Sequence, residues 1–137
     1  MQKVTIRIQN RIMDGDEKEE LSSSYEGTRQ MVCGAERILF SMPAYEGAKE
    51  EARMLITIRE KEIEIRKSGA VQSLMRFVPG ERTKGHLRSP QGEHGFTLSV
   101  DSFAIKRGDK LKAEVSYGLD FGGVLLKYEM KMIITDI

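Results

Sequence analysis

Few side chains in this sequence are of types that could carry acid, base, nucleophilic or metal chemistry. His86 and His94 are the only histidines and Cys33 is the only cysteine. Zinc-type spacings such as C-x-x-C or H-x-x-x-H are absent, and two histidines need further ligands from Cys33 or an acid that nothing in the sequence brings to them. Hydrogen-bonded or exposed strand histidines are the simpler reading, and Cys33 beside Gly34 reads as a small turn residue rather than a nucleophile. Gly80-Glu81-Arg82-Thr83-Lys84-Gly85 has the glycine spacing of a phosphate-binding loop. His86-Leu87 follow where Lys-Ser/Thr is required, and the next element is a strand rather than a helix, so this is a turn. The acidic group Asp14, Asp16, Glu17, Glu19 and Glu20 lacks the ordered alternation and closing glutamate of a calcium loop and reads as a solvated hairpin tip. The sequence therefore predicts no catalytic residue, no metal site and no cofactor, and an enzyme ranks behind a binding protein.

One feature rises above this background. Between Arg66 and Arg88 lie six cationic residues, Arg66, Lys67, Arg76, Arg82, Lys84 and Arg88, against one acid, Glu81. Such a segment on neighbouring strands attracts a carboxylate, a phosphate or an acidic surface. Phe77 is its only aromatic, which counts against single-stranded nucleic acid, whose binders usually add stacking platforms. The bland alternative is a solvated face neutralised by acids such as Glu62 and Glu64, because charge runs commonly have no specific partner.

The whole chain carries a net charge of only +1 over 137 residues, so any electrostatic function must be local. That length fits one domain, residues 1–137, with enough buried surface for a full core. The single cysteine excludes an internal disulfide framework, and the opening MQKVTIRIQNRIM has no apolar signal region, which predicts a soluble cytoplasmic protein without a membrane partner.

The elements that must position these residues read as strands throughout. Val4, Ile6, Ile8 and Ile12 alternate with polar residues, Asp14-Gly15-Asp16 supplies a hairpin, and a second strand runs from about Leu21 to Val32 with Gly27 as a bulge or bend. Residues 38–42, 54–58, 63–65, 71–77 and 96–105 continue the pattern, and Pro43 to Glu51 is the best candidate for a mobile flap. The alternation is clearest in Leu111, Ala113, Val115, Tyr117 and Leu119, and again in Leu126, Tyr128, Met130, Met132 and Ile134. No window shows a helical apolar stripe. About ten strands with hairpin-short connections predict an all-β fold, a single antiparallel up-and-down barrel, with a two-layer sandwich as the alternative.

Arg66 and Gly69, Met75-x-Phe77, Pro79-Gly80-Glu81-Arg82-Thr83, Gly85 and Ser89-Pro90-x-Gly92 together resemble the YwiB-like family of small uncharacterised bacterial proteins. The similarity runs over nearly the full chain, through Glu26-Gly27 to Gly122-Gly123. Leu87 stands where tyrosine is commoner in that family and Ser89 where threonine is. The resemblance implies a lipocalin-like (calycin) barrel and a bacterial source, and no activity.

The functional expectation is a small apolar or anionic, lipid-like ligand held in or at the mouth of the barrel. Arg66, Arg76, Arg82, His86 and Arg88 would serve the head group, with Tyr117 and Tyr128 facing the cavity. The alternative is a filled barrel acting as a structural or interaction module, whose basic face binds RNA or an acidic protein partner. An exposed edge strand would allow a homodimer.

Overall fold

Alternation of apolar and polar residues commits each segment to a strand with one buried face, and the short turns leave each strand no neighbour but the next. The computed structural model describes residues 2–14, 17–42 and 51–137. The ten strands are β1 (Gln2–Asp14), β2 (Glu17–Val32), β3 (Ala35–Met42), β4 (Ala52–Ile58), β5 (Ile63–Ser68), β6 (Gln72–Phe77), β7 (Arg82–Ser89), β8 (Gly92–Lys106), β9 (Lys110–Phe121) and β10 (Val124–Asp136). Each pairs antiparallel with the next, and β1 pairs with β10 from Val4↔Asp136 to Met13↔Lys127, closing the barrel. The up-and-down barrel is thus the fold, and the sandwich is excluded. Among the described residues no helix is long and apolar enough to cross a membrane. The expected flap at Pro43 to Glu51 and the turn at Gly15-Asp16 fall almost wholly outside the described residues.

Inward positions build the core. Val4, Ile6, Ile38, Ile56, Ile58, Ile63, Phe77, Leu98, Val115 and Met132 are almost fully buried, and at roughly 1.5 to 3 kcal/mol for each large apolar side chain they dominate the stability. Phe77 meets Tyr117 edge-on at 4.8 Å between ring centroids, and Tyr117 stacks on Tyr128 at 5.3 Å, so the two tyrosines pack with the core. Burial pushes the Tyr117 phenol well above its ordinary pKa, with Tyr128 adding to the effect, and Tyr128 is itself raised by burial.

The base of the barrel, where the β2–β3, β4–β5, β6–β7 and β8–β9 turns gather, is tied by one carboxylate. Glu36, only 3% exposed, accepts hydrogen bonds at Oε1 from Arg29 Nη2 at 2.7 Å and from Arg107 Nη1 at 2.6 Å, joining β2, β3 and the β8–β9 turn. Arg29 also approaches Asp136 at 3.6 Å. Of these turns, Cys33-Gly34 holds φ of 51° and 80°, the left-handed pair that a two-residue hairpin needs. Val78 to Glu81 closes with a hydrogen bond from Glu81 N to Val78 O at 3.1 Å, with Gly80 at φ 76° as proline-glycine predicts.

Three features depart from the sequence reading, the first being that Arg82–Gly85, read as part of a turn, belongs to β7, only the preceding residues forming the turn. Gly27 is no bulge, for β1 and β2 stay in continuous register through Val4↔Gly27. A Cβ there would lie under 3.0 Å from Leu39 O and Phe40 Cβ, so its absence lets β2 and β3 meet where their pairing begins. The bulge is in β8, between Val100 and Ser102, and it lets Phe96 and Leu98 share the inner face with Phe103 and Ile105 despite their opposite parity.

Candidate functional site

The cations of the basic segment are placed by strand parity. On β7, Thr83 pairs with the buried Leu98 and Gly85 with the buried Phe96, so Thr83, Gly85 and Leu87 take the inner phase. Arg82, Lys84, His86 and Arg88 take the outer one and are exposed, about 7 Å apart along the strand. With Phe77 and Ile65 buried on the inner face, Arg76 lies outside on β6 and Arg66 outside on β5, opposite Leu74. Arg37 on β3 and Leu55 on β4 extend this wall, in the registers Arg37↔Thr57↔Glu64↔Arg76 and Leu39↔Leu55↔Arg66↔Leu74↔His86.

The structure thus gathers Arg66, Arg76, Arg82, His86 and Arg88 on one outer wall and sets Tyr117 and Tyr128 on the inner side. The two groups do not form a single pocket. His94 pairs with the inward Leu87 and His86 with Gly95, so the histidines occupy opposite faces of the sheet, while Cys33 sits at the other end of the barrel. Among the described residues no three His, Cys, Asp or Glu side chains cluster to hold a metal ion.

Acids answer part of the charge. Arg76 Nε donates to Glu62 at 2.7 Å, and this hydrogen bond, with the carboxylate's charge, raises the guanidinium above its usual pKa. Arg66 contacts Glu64 at 3.2 Å and Arg88 contacts Glu93 at 3.3 Å, both exposed pairs of small energetic worth. Arg37, Arg82 and Lys84 have no ion-pair partner among the described residues. The wall is also dented. Arg37, Leu55, Thr57, Arg59 and Arg66 line a hollow of about 440 Å³, Arg66, Leu74 and His86 line a second of about 340 Å³, and Lys84, Phe96, Thr97 and Asp120 line a third of about 400 Å³. The first two share Arg66. Lys84 and His86, successive outward residues of β7, link the second to the third.

The sequence profile of a domain of unknown function, DUF1934, matches residues 6–132. The chain belongs to the DUF1934 family. Among solved structures this DUF1934 chain is similar to the ywiB protein from Bacillus subtilis, with a TM-score of 0.84 at 18% identity, covering 99% of this chain and 92% of that one. At that identity the likeness shows the shared barrel. No curated protein matches the chain.

One residue escaped the sequence reading of this DUF1934 barrel as a site residue. Lys67 pairs with Met54 and Ser73 and so shares the inner phase with Ile63 and Ile65, half-buried near the rim. The signal was present in the sequence, since Ile63, Ile65 and Lys67 form one period-two series.

Proposed function

We propose that this protein is a binding module that captures an acidic polypeptide segment across the outer wall of β3–β7. The observation that carries this reading is the run of three linked hollows bearing Arg37, Arg66, His86 and Lys84. Charge draws an acidic partner to the wall, and Leu55 and Leu74 give apolar side chains of that partner a place to seat. The cations of this run are interleaved with leucine rather than with aromatic rings, which favours a polypeptide over single-stranded RNA.

The test is fluorescence anisotropy with a labelled peptide of alternating glutamate and leucine, run beside labelled oligouridylate. Binding of the peptide, weakened at least tenfold in the Arg82→Glu/Lys84→Glu protein and by added salt, is the expected result. Tight, steeply salt-dependent binding of the RNA without binding of the peptide would replace this reading with a nucleic-acid one.

A second reading keeps the ligand at the rim. Lys67 supplies an inward-phase cation there, and Met42, Met54, Met75, Leu87 and Tyr128 are apolar neighbours of the core left half-buried. An amphiphilic carboxylate would set its head group on Lys67 rather than on the outward arginines. Native mass spectrometry of freshly purified protein decides it. Mass lost on denaturation, and lost also in Lys67→Glu, supports the rim site; the bare chain mass removes it.

A further inference from the structure

Strand order assembles a second group of cations that no single segment of the sequence carries. β8, β9, β10 and β1 lie side by side in the barrel. Toward its base Leu111, Ala113, Met132, Ile134, Val4 and Ile6 are buried, so the residues alternating with them face outward. Two outward rows result. One runs Lys106↔Lys112↔Ile133↔Arg7, and the other runs Lys110↔Thr135↔Thr5. With neighbouring strands about 5 Å apart, the four cations span a face about 15 Å across.

These charges are unanswered. Arg7, Lys106, Lys110 and Lys112 are exposed and have no ion-pair partner among the described residues. Of the acids around them, Glu114 contacts Lys131 at 3.7 Å, Asp136 contacts Arg29 at 3.6 Å, and Glu26, opposite Thr5 on β2, bounds the face. Asp109 lies beyond the face in the β8–β9 turn. Lys106 and Lys112 stand directly opposite one another, a like-charge cross-strand pair whose repulsion an anion lying over both would relieve. The neighbouring side chains indicate the kind of anion. Lysine, arginine and threonine are residues that hold phosphate oxygens, and Thr135 and Thr5 sit beside these cations. Among the described residues no aromatic side chain projects from this face, so it lacks the stacking platforms of single-strand binders. Its only large apolar side chain, Ile133, is half-buried, which leaves little to insert into a membrane or to seat an apolar peptide side chain. The β3–β7 wall differs in carrying leucines between its cations.

We infer that this face is a docking surface for duplex nucleic acid, held through its phosphates without reading the bases. Four cations spread over this distance exceed what a single phosphate can engage and suit a chain of them. With about four contacts the complex is weak, with Kd in the micromolar range, and its affinity falls roughly a hundredfold between about 50 and 200 mM salt. The face lies outside the β3–β7 wall, and the inference does not depend on the function proposed for that wall.

Fluorescence anisotropy of the full chain is the test, with short labelled duplexes of RNA and of DNA in unrelated sequences. The variants are Arg7→Glu, Lys112→Glu and, on the other wall, Arg82→Glu/Lys84→Glu. Duplex should bind without regard to sequence, and the tighter of the two names the form preferred. Arg7→Glu and Lys112→Glu should each weaken binding at least tenfold and lower its salt dependence, while the wall variant binds duplex as the wild type does. Both side chains are exposed, so these variants keep the fold, which thermal melts check. Absence of duplex binding at low salt overturns the inference, as does binding indifferent to both reversals. Loss of binding in the wall variant alone also overturns it, by moving the duplex to β3–β7. So does binding of phosphatidylserine vesicles without binding of either duplex, which would make the face a membrane contact.

Discussion

Glu36 is the residue on which the base of the barrel depends. Its Oε1 takes two arginine donors, and its buried Oε2 has no hydrogen-bond partner among the described residues. A buried polar atom left in that state is tolerated only where the other interactions of the side chain outweigh it. Both arginines reach solvent, so they can be rehydrated when the carboxylate is removed, and Glu36→Ala should cost about 2 kcal/mol rather than the larger penalty of a fully buried pair. Urea denaturation checks this, and a loss under half a kilocalorie would make the carboxylate a bystander. Tyr117 bears on pH. Its folded pKa is raised above the unfolded value of about 10, so the unfolded chain loses its phenolic proton first as pH rises. The stabilisation is complete below about pH 10 and is lost as pH climbs from there through the folded value. Tyr117→Phe should flatten that alkaline decline in a series of melts, and an unchanged slope would assign it to other groups.

At the scale of elements, glycines let chain segments touch. Gly27→Ala brings a methyl group against the Leu39 carbonyl, which belongs to backbone and cannot swing aside, so about 2 kcal/mol or more should be lost at the β2–β3 junction. Gly85 lies under the Phe96 ring and beside Leu74 O, where β7 approaches both neighbours. There the ring can rotate but the carbonyl cannot, and Gly85→Ala should also destabilise, with Phe96→Leu as second-site relief of part of the loss. Thermal melts of the single and double variants decide whether the clash is with the ring or with the carbonyl. β7 is also the strand least visible in the sequence. Its inward residues are Thr83, Gly85, Leu87 and Ser89, with one large apolar side chain among them, so no apolar stripe announces it. Its outward alternation of Arg82, Lys84, His86 and Arg88 is the better signal, because a period of two marks a strand whichever face carries it.

For the whole molecule, closure joins the first strand to the last. The β1–β10 ladder is the longest-range pairing in the chain, and the core residues Val4 and Ile6 sit against Met132 and Ile134 in one shared cluster. Removing residues 124–137 should therefore abolish folding rather than shorten the barrel, and circular dichroism of the truncated chain checks this; a retained, cooperatively melting β spectrum would contradict it. The sequence by itself determined the strands other than β7, the all-β class and the up-and-down order, because period-two alternation and short turns are local properties that need no partner to be read. The alternation of Ile63 and Ile65 with Glu62, Glu64 and Arg66 likewise set Arg66 opposite the apolar face of β5. Only the tertiary structure decided which phase faces inward on a strand as sparsely apolar as β7, and that the predicted arginines lie outside the barrel on β5–β7 while the predicted tyrosines lie inside it on β9 and β10. Those facts depend on register between strands distant in sequence, and register is fixed by packing against neighbours that no single segment contains.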